Sequence, residues 1–423
     1  MTHPTRRQFL GLAATALGAP WPSRRAFAQA APRVVVVGGG FAGATCARFL
    51  RRADPRLAVT LVEPNATFTA CPFSNAVIAG LRTIQDQTFG YDAVRADGVA
   101  VVQAAATGID AQGRTVRLAD GGTLAYDRLV LAPGIEFRWD GIPGYGEAAA
   151  DRMPHAWKAG EQTLLLRRRL EAMADGGLVV IAAPANPFRC PPGPYERASL
   201  IAHYLKTRKP RAKLLLLDAK DSFSKQSLFT AAWKQFYPGL LEWVPLSKGG
   251  RVTAVDANAG TVSTEFEKYQ PAVANIIPPQ RAGRIAELAG VADRTGWCPI
   301  DPVSFESRLQ ANIHVIGDAA IAGAMPKAAF AANAQAKVCA AAVAALLRGE
   351  TPQEPLLLNT CYSLVAPDYG ISVAGVYRPR GGQLTEVAGA GGTSPAQAPP
   401  QDRALEARYA EDWFKVITRE VFG

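Results

Sequence analysis

The chain has 423 residues, 48% hydrophobic and 19% charged, with a formal net charge of +10. That length holds two or three domains with real cores, and the composition excludes a disordered or fibrous chain. No arginine-rich tract or aromatic-basic interleaving points to nucleic acid, and the four histidines show no metal-ligand spacing, so no metal is expected.

The N-terminus reads as an export signal. Arg6 and Arg7 precede Phe9-Leu10, an apolar stretch to Ala19 and small residues at 26–30. This is the pattern of a twin-arginine secretion signal over residues 1–30, which places the mature protein in the periplasm. Its apolar run is too short to span a bilayer, and no other window reads as a membrane span. Residues 1–31 hold four arginines and no acids, so the mature charge is about +6. All six cysteines lie beyond the signal, where disulfides persist.

Val34–Val37 reads as a buried parallel strand. Gly38, Gly40 and Gly43 then turn the chain into a helix to about Arg52, and a second strand, Val59–Val62, ends in Glu63. Glycines at this spacing let a pyrophosphate approach the helix N-terminus, and the acid accepts from ribose hydroxyls. Two further segments favour FAD over NAD. "YDRLVLAPGIEF" (126–137) is a strand ending in a turn at Gly134. "ANIHVIGDAAI" (311–321) ends in Gly317-Asp318 ahead of an Ala-rich helix, and such an aspartate suits a ribityl chain. The glycine-turn unit and these two segments, in this order, resemble the two-dinucleotide-domain flavoproteins related to glutathione reductase. The expected fold class is therefore α/β, with two Rossmann-like domains and a smaller C-terminal α+β domain. The boundaries read as 31–143 plus 272–348 for FAD, 144–271 for the second Rossmann-like unit, and 349–423 for the C-terminal domain.

The middle unit keeps the pattern and loses the fingerprint. "GGLVVIAAP" is a strand, 195–206 a helix and "KLLLLDAK" (213–220) the next strand. Between the first two lies "PANPFRCPPGPYERAS", where Pro191, Pro192 and Pro194 supply no N–H donors. No nicotinamide site is expected there, and Cys190 stands in its place. Cys46 and Cys339 fall within helices and read as small core residues; Cys298, in a turn, reads as structural. Cys71, Cys190 and Cys361 sit in loop settings and together suggest redox chemistry.

"PFRCPPGPYERAS", "IIPPQRAG", "GWCPID", "NIHVIGDA", "MPKAAFAANAQAKV" and "LNTCYSLVAPDYGISVA" resemble the flavoprotein subunit of flavocytochrome c sulfide dehydrogenase over nearly the whole mature chain. The resemblance implies FAD held covalently through Cys71 and a redox-active disulfide of Cys190 and Cys361, with Glu196 close by. It also implies a c-type cytochrome partner that carries the haem. The tetrapeptide TACP around Cys71 departs from the family pattern at Pro72. Sulfide would deliver electrons by attacking the disulfide.

Glu196 reads either as a proton carrier at the disulfide or as a first-turn acid complementing its helix dipole. Lys327 reads either as a cation near the flavin or as a surface lysine. No CxxCH occurs, so haem would belong to another subunit. After a loop at 391–402, a C-terminal helix places Leu405, Tyr409, Trp413, Phe414 and Ile417 on one side. Arg403 and seven other charged residues on its remaining faces argue against membrane insertion. Competing functions are a sulfide:quinone oxidoreductase, an auxiliary flavoprotein of a thiosulfate-oxidising system, and a flavin-bearing redox sensor.

Overall fold

The computed structural model describes residues 31–423; the secretion signal read at 1–30 lies outside the described residues. Four consecutive valines make Arg33–Val37 a strand, because β-branched side chains suit a sheet covered on both faces. It is the centre of a five-stranded parallel sheet in the order Ile313–Val315, Arg128–Leu131, Arg33–Val37, Ala58–Val62, Ala100–Val102. The helix Phe41–Ala53 follows the first strand and packs against the helix Ala329–Leu347. Cys46 and Cys339 are fully buried on these two helices, as small core residues should be.

Ala329–Leu347 corrects one expectation. Its mean hydropathy of 1.5 makes it long and apolar enough to cross a membrane. Alanine accounts for that value, and much of the helix surface is buried in the core beside the first helix.

A second parallel sheet runs Leu241–Val244, Lys213–Asp218, Leu178–Ala183, Val273–Ile276. Val273–Ile276 therefore closes the second sheet, although the sequence reading placed 272 onward in the FAD domain. The chain re-enters the first unit a few residues later. The helix between the first two of these strands in sequence runs Gly193–Arg208, two residues earlier than expected. Pro194 sits in its first turn, where no intrahelical N–H is lost.

The C-terminal segment is an antiparallel sheet, Leu357–Ala366 with Tyr369–Arg380 and then Gln383–Glu386, backed by the helix Pro400–Phe422. That helix starts inside the stretch read as a loop, with Pro400 at its first position. Its faces also differ from expectation. Phe414 and Ile417 are buried, whereas Leu405 and Tyr409 are exposed. Arg403 is buried, donating to the Pro395 carbonyl and, at 3.2 Å, to Glu406, because it ties the helix to the preceding loop.

Candidate functional site

The glycines after the first strand are fixed by close approach. Gly38 has φ +103°, and a Cβ there would lie 2.3 Å from the Ala132 carbonyl oxygen; at Gly43 it would lie 1.7 Å from that of Gly38. Only hydrogen fits either place. Glu63 accepts the Gly39 N–H at 2.8 Å and the Asn65 N–H at 3.0 Å, which pins the second strand's end beside the glycine turn. Gly38, Gly39, Glu63 and Asn65, with Gly40 and Gly134, line a trench along the ends of the first sheet. Gly134 has φ +62°.

A second hollow continues the trench, sharing Gly40, Phe68, Cys71, Ala132, Gly134 and Arg189 with it. Its walls include Gly317, Asp318, Trp157, Cys190, Glu196 and Cys361. Two buried polar atoms on this wall have no partner, Asp318 Oδ1 and Trp157 Nε1. Burial holds the Asp318 carboxyl above its usual range, against the opposing charges of Arg189 and Lys327. A glycine cradle at one end and an unpartnered buried acid further along suit FAD, with its pyrophosphate at Gly38–Gly43 and its ribityl hydroxyls at Asp318.

Lys327 does not join that wall. Its ammonium donates to the carbonyls of Asp318 and Ala320 at 2.7 and 2.8 Å and lies 3.9 Å from the centre of the Trp297 ring. It is neither a surface lysine nor a free cation in the hollow. Its carbonyl, however, accepts the Cys190 N–H at 2.7 Å and so fixes the cysteine loop. Cys298 is fully buried in a short strand pair, a structural place. His314 is likewise structural, its Nδ1 2.9 Å from the Ser304 carbonyl.

Cys190 adopts φ +58°, and its carbonyl accepts the Gly193 N–H at 2.8 Å, so a tight turn presents the thiol just before the helix. Cys361 comes from the strand Leu357–Ala366 of the C-terminal sheet. The two sulfurs are unbonded in the structure and line the same hollow. Burial pushes both thiols up. Glu196 lies beside them, accepting the Leu364 N–H and the Asn75 side-chain amide, each at 2.8 Å. Burial raises its carboxyl, tempered by those two donors and by Lys225 and Arg197. Cys71 precedes the short helix Ser74–Ala79 and lies where the two hollows meet, its sulfur 3.7 Å from the Trp157 carbonyl.

Two residues went unmarked in the sequence. Arg197, 1% exposed, binds Asn75, Asn275 and the carbonyls of His155 and Ala156. Lys225, 6% exposed, reaches the Cys361 carbonyl at 2.8 Å. An arginine beside Glu196 was visible in sequence; the distant acceptors that make it buried were not.

The second sheet ends differently. Asp218, fully buried, accepts from Lys220 at 2.6 Å, Tyr195 at 2.7 Å and Trp243 at 3.1 Å. The Tyr195 ring stacks on Phe223 with centroids 3.6 Å apart. The acid that would meet the adenosine ribose of a nicotinamide dinucleotide is thus satisfied internally, behind aromatic rings. Among the described residues no cluster of His, Cys, Asp or Glu could hold a metal ion.

Three comparisons with known proteins bear on the family and the fold. Residues 163–278 match the family described as sulfide dehydrogenase (flavocytochrome c) flavoprotein chain, central. Residues 353–422 match flavocytochrome c sulphide dehydrogenase, flavin-binding, and residues 32–171 match pyridine nucleotide-disulphide oxidoreductase. A sulfide dehydrogenase (flavocytochrome c) flavoprotein chain from Chlorobaculum thiosulfatiphilum is 67% identical over 45 residues, 11% of this chain and 94% of that one. An NADH dehydrogenase-like protein of Mycobacterium tuberculosis is 33% identical over 284 residues, 64% of this chain and 68% of that one. Among solved structures, the sulfide:quinone oxidoreductase of Aquifex aeolicus superposes with a TM-score of 0.72 at 17% identity, covering 92% of each chain. The fold is that of the FAD-linked disulfide oxidoreductases.

Proposed function

Because this chain belongs to the family of flavoprotein chains of flavocytochrome c sulfide dehydrogenase, we propose that it oxidises sulfide at a Cys190–Cys361 redox pair with FAD. We further propose that it is exported by the twin-arginine route and hands electrons to a c-type cytochrome subunit in the periplasm. One observation carries the reading: Cys190, Cys361 and Glu196 line the same hollow as Asp318, at the far end of a dinucleotide trench. Bound FAD supplies a two-electron acceptor that releases electrons singly.

The chain's own residues do the sulfur chemistry. Hydrosulfide attacks one sulfur of the oxidised pair, leaving a persulfide on one cysteine and a thiolate on the other. Glu196, with its raised carboxyl, would take or return a proton beside the sulfur pair. Gly193 packs tightly under Cys190, where an added Cβ would lie 3.0 Å from the sulfur, so the thiol has little room to swing away.

An anaerobic titration tests the reading. Sulfide is expected to bleach the flavin absorption and NADH to leave it unchanged, since Asp218 is held by Lys220, Tyr195 and Trp243. Bleaching by NADH alone would return the chain to the nicotinamide-linked reductases. Quinone reduction in the absence of any cytochrome would move it to the quinone-linked ones.

The position of Cys71 at the junction of the two hollows supports a thioether anchor for the flavin. Cys71→Ser is expected to release its colour into the supernatant on acid precipitation, whereas the unaltered protein keeps it in the pellet. Colour lost equally from both would sink the covalent link.

A further inference from the structure

The two redox cysteines have unequal surroundings. The Asn359 side-chain amide donates to Cys361 Sγ at 3.3 Å. Lys225 Nζ donates to the Cys361 carbonyl and to Ser363 Oγ, each at 2.8 Å, and to the Ile371 carbonyl at 3.4 Å. All three of these partners are neutral. A buried ammonium is costly unless a negative charge answers it. Lys225 also takes φ +62°, an uncommon conformation for a lysine, at the start of the helix Gln226–Phe236. Strain, and an ammonium whose direct hydrogen-bond partners are all neutral, at one buried residue beside a redox sulfur need a reason. The Cys190 sulfur accepts no hydrogen bond among the described residues; its backbone is held by the Lys327 carbonyl and Gly193, and Arg189 and Lys225 act on the thiol through charge alone.

We propose that Lys225 is a positioning residue that makes Cys361 the sulfur released as thiolate, so that hydrosulfide attacks Cys190. This rests on the sulfide-oxidising reading above. In the step, the hydrosulfide sulfur bonds to Cys190 Sγ as the Cys190–Cys361 bond breaks. The persulfide stays on Cys190, and the electron pair of the broken bond leaves on Cys361 Sγ. One negative charge enters with hydrosulfide and one remains on Cys361. A disulfide opens toward the sulfur that best carries negative charge; the Asn359 amide and the Lys225 ammonium supply that preference at Cys361.

The titratable groups facing Cys361 are Cys190, Glu196 on the helix Gly193–Arg208, Lys225, and Tyr377 on the neighbouring strand. Burial pulls the Lys225 ammonium down to about 8, against the raising influence of Cys361, Glu196, Cys190 and, from the helix Pro400–Phe422, Glu406. The counter-charge is therefore present below that pH and fades above it.

The test mixes oxidised full-length holoprotein with one equivalent of sulfide, quenches with an alkylating reagent and maps the peptides by mass. The expected result is an extra sulfur on the Cys190 peptide and plain alkylation on the Cys361 peptide. Extra sulfur on the Cys361 peptide overturns the assignment. No extra sulfur on either peptide removes the underlying disulfide reading and this inference with it. Lys225→Met is expected to slow the opening roughly tenfold and to move Cys361 alkylation in the reduced protein to higher pH, with Lys225→Arg recovering most of both. An unchanged alkylation profile in Lys225→Met also overturns it. Should that variant fail to fold, the peptide map of the unaltered protein decides alone.

Discussion

Cys361→Ser is expected to lose sulfide-dependent flavin bleaching by roughly a thousandfold or more, the scale seen when a covalent participant is removed. The reason is chemical rather than structural. A serine hydroxyl cannot close a bond with Cys190, and an alkoxide is a far poorer leaving group than a thiolate. The swap is nearly isosteric, and the Asn359 amide still meets an acceptor where the sulfur stood. Lys225 keeps its backbone carbonyl and Ser363. The variant should therefore purify folded and yellow, since none of the glycines at 38–43 is disturbed. Cys190→Ser should lose as much, because the pair acts as a unit. Stopped-flow absorption under anaerobic sulfide checks both, and a Cys361→Ser protein that still turns over would end the disulfide mechanism.

Much of the first unit was legible because its signals are local. Four valines, three glycines and an acid occupy about thirty residues, and each acts on its immediate neighbours. The strand and helix at 33–53 lie where those signals put them. The proline loop was legible in the same way, since prolines remove donors wherever they stand. What stayed hidden depends on contacts distant in sequence. Nothing within ten residues of Lys225 shows that its ammonium sits under a strand starting at Leu357. Arg403 read as a surface charge because periodicity alone cannot reveal the Pro395 carbonyl it meets. Val273–Ile276 was assigned to the wrong unit because an apolar run names a strand but not its partner. Lys327 lay ahead of a helix near the expected flavin, yet the carbonyls of Asp318 and Ala320 claim its charge.

Arg197→Met tests how the hollow keeps its shape. Arg197 Nε donates to Asn75 Oδ1 at 2.9 Å, and Nη1 donates to the His155 carbonyl and Asn275 Oδ1, each at 3.0 Å. Nη2 donates to the Ala156 carbonyl at 2.6 Å. Burial drags the guanidinium down to about 9, with the thiols of Cys71 and Cys190 and the Glu196 carboxyl opposing that fall. Methionine fills similar length without a donor, so Asn75 Oδ1, Asn275 Oδ1 and the Ala156 carbonyl lose their partner in a dry interior, while the His155 carbonyl keeps the Asn275 amide at 2.8 Å. Each orphan costs about 1–3 kcal/mol, partly offset because no charge is then buried, for a net loss of about 3 kcal/mol. The expected fall in melting temperature is roughly 5 °C. Asn75 also orients Glu196, so the pH profile of sulfide oxidation should shift in the variant even where it remains folded. Arg197→Lys should fall between the two, because one ammonium cannot reproduce a planar fork across acceptors from three segments of chain. A variant that melts and titrates like the unaltered protein would mean that apolar packing, through the Trp157 ring 4.9 Å from the guanidinium, already holds the wall in place.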